Sequence, residues 1–254
     1  MAKRDEIIEF VNKYLAIDKF EDKSANGLQV AGEKEVKKIV LGVSASLALF
    51  EKAAKKGVEM IIVHHGLLWE GEELRLDELR KKRLQLLFNK NISLAGYHLP
   101  LDGHPEIGNN AQILKKLNLK KEKEFGKYGG NFIGVVGRLK EKKPLGEFIR
   151  TVDKLFGCQS FVLKFGPKIV ETVGIISGGA GGASDMIEAF KHKCDVYLTG
   201  VPFEAGYQMA KEAKLNVIGP GHYNTEKFGI MELGKLVEKK FKVKTEFIDV
   251  PSPL

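Results

Sequence analysis

Met60-Ile61-Ile62-Val63 is an apolar run, rich in β-branched residues and of buried-strand length, that ends in His64-His65-Gly66. Such a run belongs in the middle of a covered sheet, and in open α/β sheets ligands bind at the carboxyl ends of the strands. Neighbouring strand residues point to opposite faces. Two adjacent histidines therefore share a site only if the chain bends there, and Gly66 permits that bend. The alternative is one core histidine and one surface histidine.

The rest of the chain repeats this alternation. Amphipathic or charged helices are predicted over residues 4–15, 47–56, 74–89 and 110–117, with strands at 28–31, 39–43, 60–63 and 92–97. Beyond them, strands are predicted at 132–137, 161–163, 172–176, 196–200, 217–219 and 246–250. Helices are predicted at 145–156, 185–191, 203–213 and 225–239. Strands alternating with helices predict an α/β fold with mixed, largely parallel sheets.

A duplication is visible in this order. Leu41-Gly42-Val43-Ser44-Ala45-Ser46 corresponds to Val173-Gly174-Ile175-Ile176-Ser177-Gly178, and each is followed by a helix, a strand, a further helix and a short strand. After these come His98-Leu99-Pro100-Leu101-Asp102 in one case and His222-Tyr223-Asn224-Thr225-Glu226 in the other. Two similar α/β halves are expected, residues 1–124 and 125–254, each delivering one His-x-x-x-carboxylate pair just past a strand end.

With 254 residues the chain is long enough for one large domain or two ordinary ones. No apolar run approaches membrane-spanning length, and the charged start Met-Ala-Lys-Arg-Asp-Glu has no signal-peptide core, so a cytoplasmic location is expected. The formal charge of +8 would suit a phosphate-bearing or nucleic-acid partner. The lysines are scattered among glutamates, however, as in Glu33-Lys34-Glu35-Val36-Lys37-Lys38, which favours a solvated surface. Cys158 and Cys194 have no motif spacing and are expected as reduced thiols.

Four of the six histidines (His64, His65, His98 and His222) stand at predicted strand ends, and two of them carry a carboxylate four residues on. Imidazole and carboxylate are the usual ligands of zinc, iron and manganese. Together with Asp102 and Glu226 the four histidines can fill two metal sites of three protein ligands each. Two such ions generate a hydroxide nucleophile and polarise a carbonyl, amidine or phosphoryl group. A single His-x-x-x-Asp is weak evidence, and each pair has an ordinary alternative. Pro100 rules out a helical arrangement for His98 and Asp102, so that pair is expected to converge through a strand-to-loop turn. Asn224 suits the N-cap of the last helix, with Glu226 in its first turn, where the dipole favours a carboxylate anyway.

Other candidates are weaker. His104 is expected in an exposed loop and His192 on a solvated helix end. Trp69 is placed either against a ring substrate or in the core. The run Gly178-Gly179-Ala180-Gly181-Gly182 is either a phosphate cradle or a flexible turn, and it lacks the Lys-Ser/Thr of a P-loop.

Val63-His64-His65-Gly66-Leu67-Leu68-Trp69, Tyr97-His98-Leu99-Pro100-Leu101-Asp102, Gly108-Asn109-Asn110 and Gly221-His222-Tyr223-Asn224-Thr225-Glu226 together resemble the Nif-three-like family. Many of its members are described as homologues of type 2 GTP cyclohydrolase I. The resemblance extends from the opening helix, through Gly27-Leu28-Gln29-Val30, to the last strand. It implies two similar halves with exchanged C-terminal strands, a toroidal homohexamer, and a dinuclear centre. The family's ligands map onto His64, His65, His98, Asp102, His222 and Glu226. One departure is Ser44, where family members often carry an aspartate. The function expected is a dinuclear metal-dependent hydrolase for a small, nucleotide-like substrate. The alternative is a non-catalytic metal-binding scaffold or regulator that binds protein or nucleic acid.

Overall fold

The computed structural model describes residues 1–73 and 75–254. The chain begins with β1 (Ala2–Lys3) and helix α1 (Arg4–Leu15), then β2 (Gly27–Val30), β3 (Glu35–Val36) and β4 (Lys38–Ser44). Helix α2 (Leu47–Lys55) leads to β5 (Met60–His65), and α3 (Glu78–Asn89) to β6 (Ser93–Gly96). A single turn, α4 (Leu99–Asp102), precedes α5 (Asn109–Lys116), the strands β7 (Lys120–Tyr128) and β8 (Asn131–Pro144), and α6 (Leu145–Phe156). Then come β9 (Phe161–Lys164), β10 (Ile169–Ile175), α7 (Ala183–Lys191), β11 (Val196–Leu198), α8 (Glu204–Glu212) and β12 (Asn216–Gly219). The short α9 (His222–Thr225), the long α10 (Lys227–Phe241) and β13 (Lys244–Phe247) complete the chain.

Two compact units result: Met1–Leu101 with Gly229–Val250, and Asp102–Phe228 with Pro251–Leu254. The first holds a five-stranded sheet in the order β13-β4-β5-β6-β2. β13, β4, β5 and β6 run parallel, and β2 lies antiparallel against β6. The last strand of the chain thus pairs with one of the first, Lys244 opposite Lys38 and Phe247 opposite Leu41. Met60, Ile61, Ile62 and Val63 are all fully buried, because a parallel strand flanked on both sides and covered on both faces has no wet side. Each such side chain contributes about 1.5–3 kcal/mol of burial. Leu49, Phe50 and Ala53 of α2 and Leu87 of α3 pack into the same core. Helix α2 starts where the Ser46 hydroxyl accepts the Leu49 amide, and α3 where Asp77 accepts that of Arg80.

The second unit holds a six-stranded mixed sheet in the order β7-β8-β10-β11-β12-β9. β10, β11 and β12 are parallel, and the flanking pairs are antiparallel. Phe148, Val152 and Phe156, on one face of α6, pack on Val173, Ile175, Val196 and Leu198.

Several sequence expectations need correction. The charged stretch Lys120–Tyr128 forms an edge strand that was not foreseen, since its alternation is of charges rather than apolar residues. The third helix begins at Glu78; the expected start at Leu74 lies outside the described residues. Leu99–Asp102 is helical despite Pro100, because a proline near a helix start forfeits only an amide hydrogen that has no intrahelical partner there. The last helix, expected over 225–239, is α10 at Lys227–Phe241, and a separate short helix, α9, precedes it. Asn224 lies inside α9, where its amide donates to Pro220 O at 2.8 Å, and so does not cap the long helix. The last strand starts at Lys244 and ends at Phe247, earlier than expected. Among the described residues no helix is long and apolar enough to cross a membrane.

Candidate metal-binding residues

In the first unit β5 delivers His64 and His65, and the segment after β6 delivers His98. One nitrogen of each lies within 4.8 Å of the others. The two neighbours do converge: their ring centroids are 4.7 Å apart, and His64 lies 5.2 Å from His98. The closing turn needs a glycine at position 66 for a steric reason. A Cβ there would overlap the carboxamide of Gln29. That carboxamide accepts the Leu67 amide at 2.7 Å and donates to Ala25 O at 2.8 Å, tying the turn to the loop before β2.

Each of the three rings is held by its Nδ1. His64 Nδ1 lies 2.8 Å from Tyr97 O, His65 Nδ1 3.0 Å from the Ser44 hydroxyl, and His98 Nδ1 2.9 Å from Asp22 Oδ1. An outer oxygen on Nδ1 fixes ring orientation and assigns the metal-facing role to Nε2. Asp22 also accepts the Leu99 and Ser24 amides, while Asn26 Oδ1 accepts that of His98. Burial pushes the Asp22 carboxyl up, but the hydrogen bond to His98, its charge, and the Asn26 and Ser24 donors together hold it down at about 2. Trp69 is half-buried, neither in the core nor open: its Nε1 donates to Gly66 O at 3.0 Å and its ring stands 4.9 Å from that of His98.

In the second unit Asp102, His222 and Glu226 gather around Ser177-Gly178, the turn after β10. The Ser177 hydroxyl donates to Asp102 Oδ1 at 3.1 Å and Asn109 Nδ2 to the same oxygen at 2.8 Å. The i,i+4 spacing across α9 brings His222 Nε2 within 3.1 Å of Glu226 Oε2. Gly178 has φ +71°, and a Cβ there would run into the Glu226 carboxylate. Its amide donates to Thr225 Oγ1 at 2.9 Å, and the Gly182 amide to Asp185 at 3.0 Å. The glycine-rich run is therefore a turn whose Gly178 and Gly182 amides are taken up by side chains of α9 and α7. Asp102 and Glu226 are 4% and 3% exposed, so deeply that either carboxylate needs donors or a cation against it.

These donors fit divalent cations: imidazoles with outer partners already in place, and buried carboxylates that close the short helical turns after β6 and β12. Sequence reasoning named all six candidate ligands and missed what supports them. Asp22, Asn26, Gln29, Asn109 and Ser177 carry no spacing signal, although Gly27-Leu28-Gln29-Val30 and Gly108-Asn109-Asn110 had marked their neighbourhoods. Two lesser expectations are corrected. His104 is half-buried, its Nδ1 accepting the Glu106 and Ile107 amides. His192 is also half-buried, edge-on to Phe125 with ring centroids 5.6 Å apart.

As a class, this is a mixed α/β protein with groups of histidines and carboxylates that could hold a metal ion. The family model DUF34/NIF3 (NGG1p interacting factor 3) matches residues 2–253, and the chain belongs to that family. It is 42% identical over 253 residues to a Pyrococcus abyssi protein named "GTP cyclohydrolase 1 type 2 homolog", covering 99% of this chain and all (100%) of the relative. A Haemophilus influenzae protein of the same name is 37% identical, over 98% of each chain. Among solved structures, the protein ybgI, titled as of unknown function, superposes with a TM-score of 0.93 at 34% identity, covering 99% of this chain and 100% of its own. TTHA1606 from Thermus thermophilus gives 0.87 at 35%, with the same coverage.

Proposed function

We propose that the chain is a divalent-metal-dependent hydrolase acting on a small nucleotide-like substrate, and that His64, His65, His98, Asp102, His222 and Glu226 together ligate two ions. The observation that carries this reading is the set of three histidines held by Nδ1, with one nitrogen of each within 4.8 Å of the others. The relatives' name, "GTP cyclohydrolase 1 type 2 homolog", supports a nucleotide or ring substrate. When bound, zinc, iron or manganese supplies Lewis acidity toward a carbonyl, amidine or phosphoryl group and makes water easier to deprotonate. The chain's own part is to orient. Tyr97 O, Ser44 and Asp22 fix the three rings, and Ser177 with Asn109 fixes Asp102. A homohexamer, as the resemblance implies, is part of this proposal, and light scattering of the purified protein tests it.

Elemental analysis of protein purified without chelator tests the reading. Two metals per chain, lost in His64→Ala/His65→Ala, support it. No metal, and no uptake of zinc, iron or manganese, overturns it and favours the second reading. That reading is a scaffold or regulator, favoured by the family's name as an interacting factor and by the +8 charge. DNA binding that falls steeply from low to moderate salt would identify a nucleic-acid partner.

A further inference from the structure

Of the four glycines in the turn after β10, only Gly179 is exposed, and it stands between two rings. A Cβ on it would lie 3.5 Å from His222 Cε1 and 3.8 Å from Phe203 Cζ, in ordinary contact with both. The open gap between imidazole and phenyl ring therefore accepts a group one carbon atom thick. We propose that it is a slot for the planar ring of the substrate, a nucleobase-like heterocycle, with Phe203 as its stacking wall and the bare backbone of Gly179 as its floor. The inference rests on the hydrolase reading for the identity of the ligand, but the slot can be tested apart from it.

The neighbouring glycines have packing reasons that Gly179 lacks. Gly178 has φ +71° and faces the Glu226 carboxylate. A Cβ on Gly181 would overlap the Val201 carbonyl and Pro202, which pass close enough for the Phe203 amide to donate to Gly181 O at 2.9 Å. Gly179 lies outside the left-handed region, and its Cβ would touch its neighbours without overlapping them. Alanine would fit there and lose less chain entropy on folding. What the missing methyl leaves is the gap itself, and glycine is the usual residue where a ligand approaches the backbone closely.

A single exposed phenylalanine is ordinary on a protein surface. Phe203, at 50% exposure, is distinguished by where it is fixed. It stands at the start of α8, where its carbonyl accepts the Tyr207 amide at 3.0 Å, and its ring faces His222, whose side chain is 37% exposed. An aromatic face of this kind accepts any base, since every base has a π-face. With Glu226 Oε2 3.1 Å from His222 Nε2, the slot carries no excess of positive charge. The part of the ligand it recognises is thus the ring rather than an anionic substituent.

The experiment is calorimetric titration of the full-length, metal-supplied protein with guanosine, adenosine and uridine, and with ribose as the control without a base, metal content being measured in every sample. At least one nucleoside is expected to bind, and ribose is not. Phe203→Ala should weaken the nucleoside about tenfold, as loss of one base–aromatic stack does. Phe203→Tyr keeps the ring and should bind as the wild type does. Gly179→Ala fills the gap and should abolish nucleoside binding, while its melting temperature stays at or above that of the wild type. All three variants should keep the wild-type metal content. The slot is overturned if no nucleoside binds, if ribose binds as well as they do, or if either Gly179→Ala or Phe203→Ala binds as the wild type does. Absence of metal would count against the hydrolase reading alone, since comparison of wild type with Gly179→Ala still decides the slot.

Discussion

The carboxamide of Gln29 occupies the space a Cβ on Gly66 would need, and its Oε1 accepts the Leu67 amide at 2.7 Å. The turn that follows the paired histidines is thus shaped by a residue from a different strand. Gly66→Ala forces the amide and the turn apart and should cost about 1–3 kcal/mol, the usual range for overpacking. Denaturant unfolding measures it. Shortening the opposing side chain in Gln29→Ala/Gly66→Ala should recover part of the loss. Strict additivity of the two changes would show that the steric link is absent.

The outer oxygens on the three histidines should set metal affinity without touching metal. Asp22→Asn removes the charge behind His98 and should weaken binding about 10–100-fold. Ser44→Asp places a carboxylate where a hydroxyl now meets His65 Nδ1 at 3.0 Å and should tighten it. Competition against a chelator of known affinity reads both. Equal affinities in wild type and both variants would count against orientation by these groups.

Gly178→Ala should disturb the second set of ligands. The position has φ +71°, which costs an alanine about 1–2 kcal/mol, and the added methyl collides with the Glu226 carboxylate. Metal content should fall while far-ultraviolet dichroism stays native. Full metal content would mean that Glu226 moves aside freely or does not ligate.

The thiols should be inert in the folded protein. Burial, with Asp195 adding to it, pushes Cys194 up to about 12, and burial also raises Cys158. The thiolate is the reactive form, so a raised pKa lowers reactivity at pH 8. A thiol reagent should leave Cys194 unmodified in the native state and titrate both cysteines, free in this structure, in guanidinium. Rapid native modification of Cys194 would contradict its burial.

The α/β class, the buried strand Met60–Val63 and the six candidate ligands were legible in the sequence by itself. A short apolar run rich in β-branched residues has the length and composition of a buried strand, and histidines at strand ends are few enough to stand out. The tertiary structure decided how those groups are held. Asp22 meets His98 across 76 residues of sequence, and Ser177 meets Asp102 across 75. A hydrogen bond between distant residues leaves no periodicity or spacing behind, because it depends on where the chain returns rather than on its neighbours. The same reason hid the edge strand Lys120–Tyr128, whose partner in β8 defines it, and the pairing of Lys244–Phe247 with Lys38–Leu41. Pro100 was misjudged for the opposite reason: its local rule depends on position within a helix, and only the folded chain shows where that helix begins.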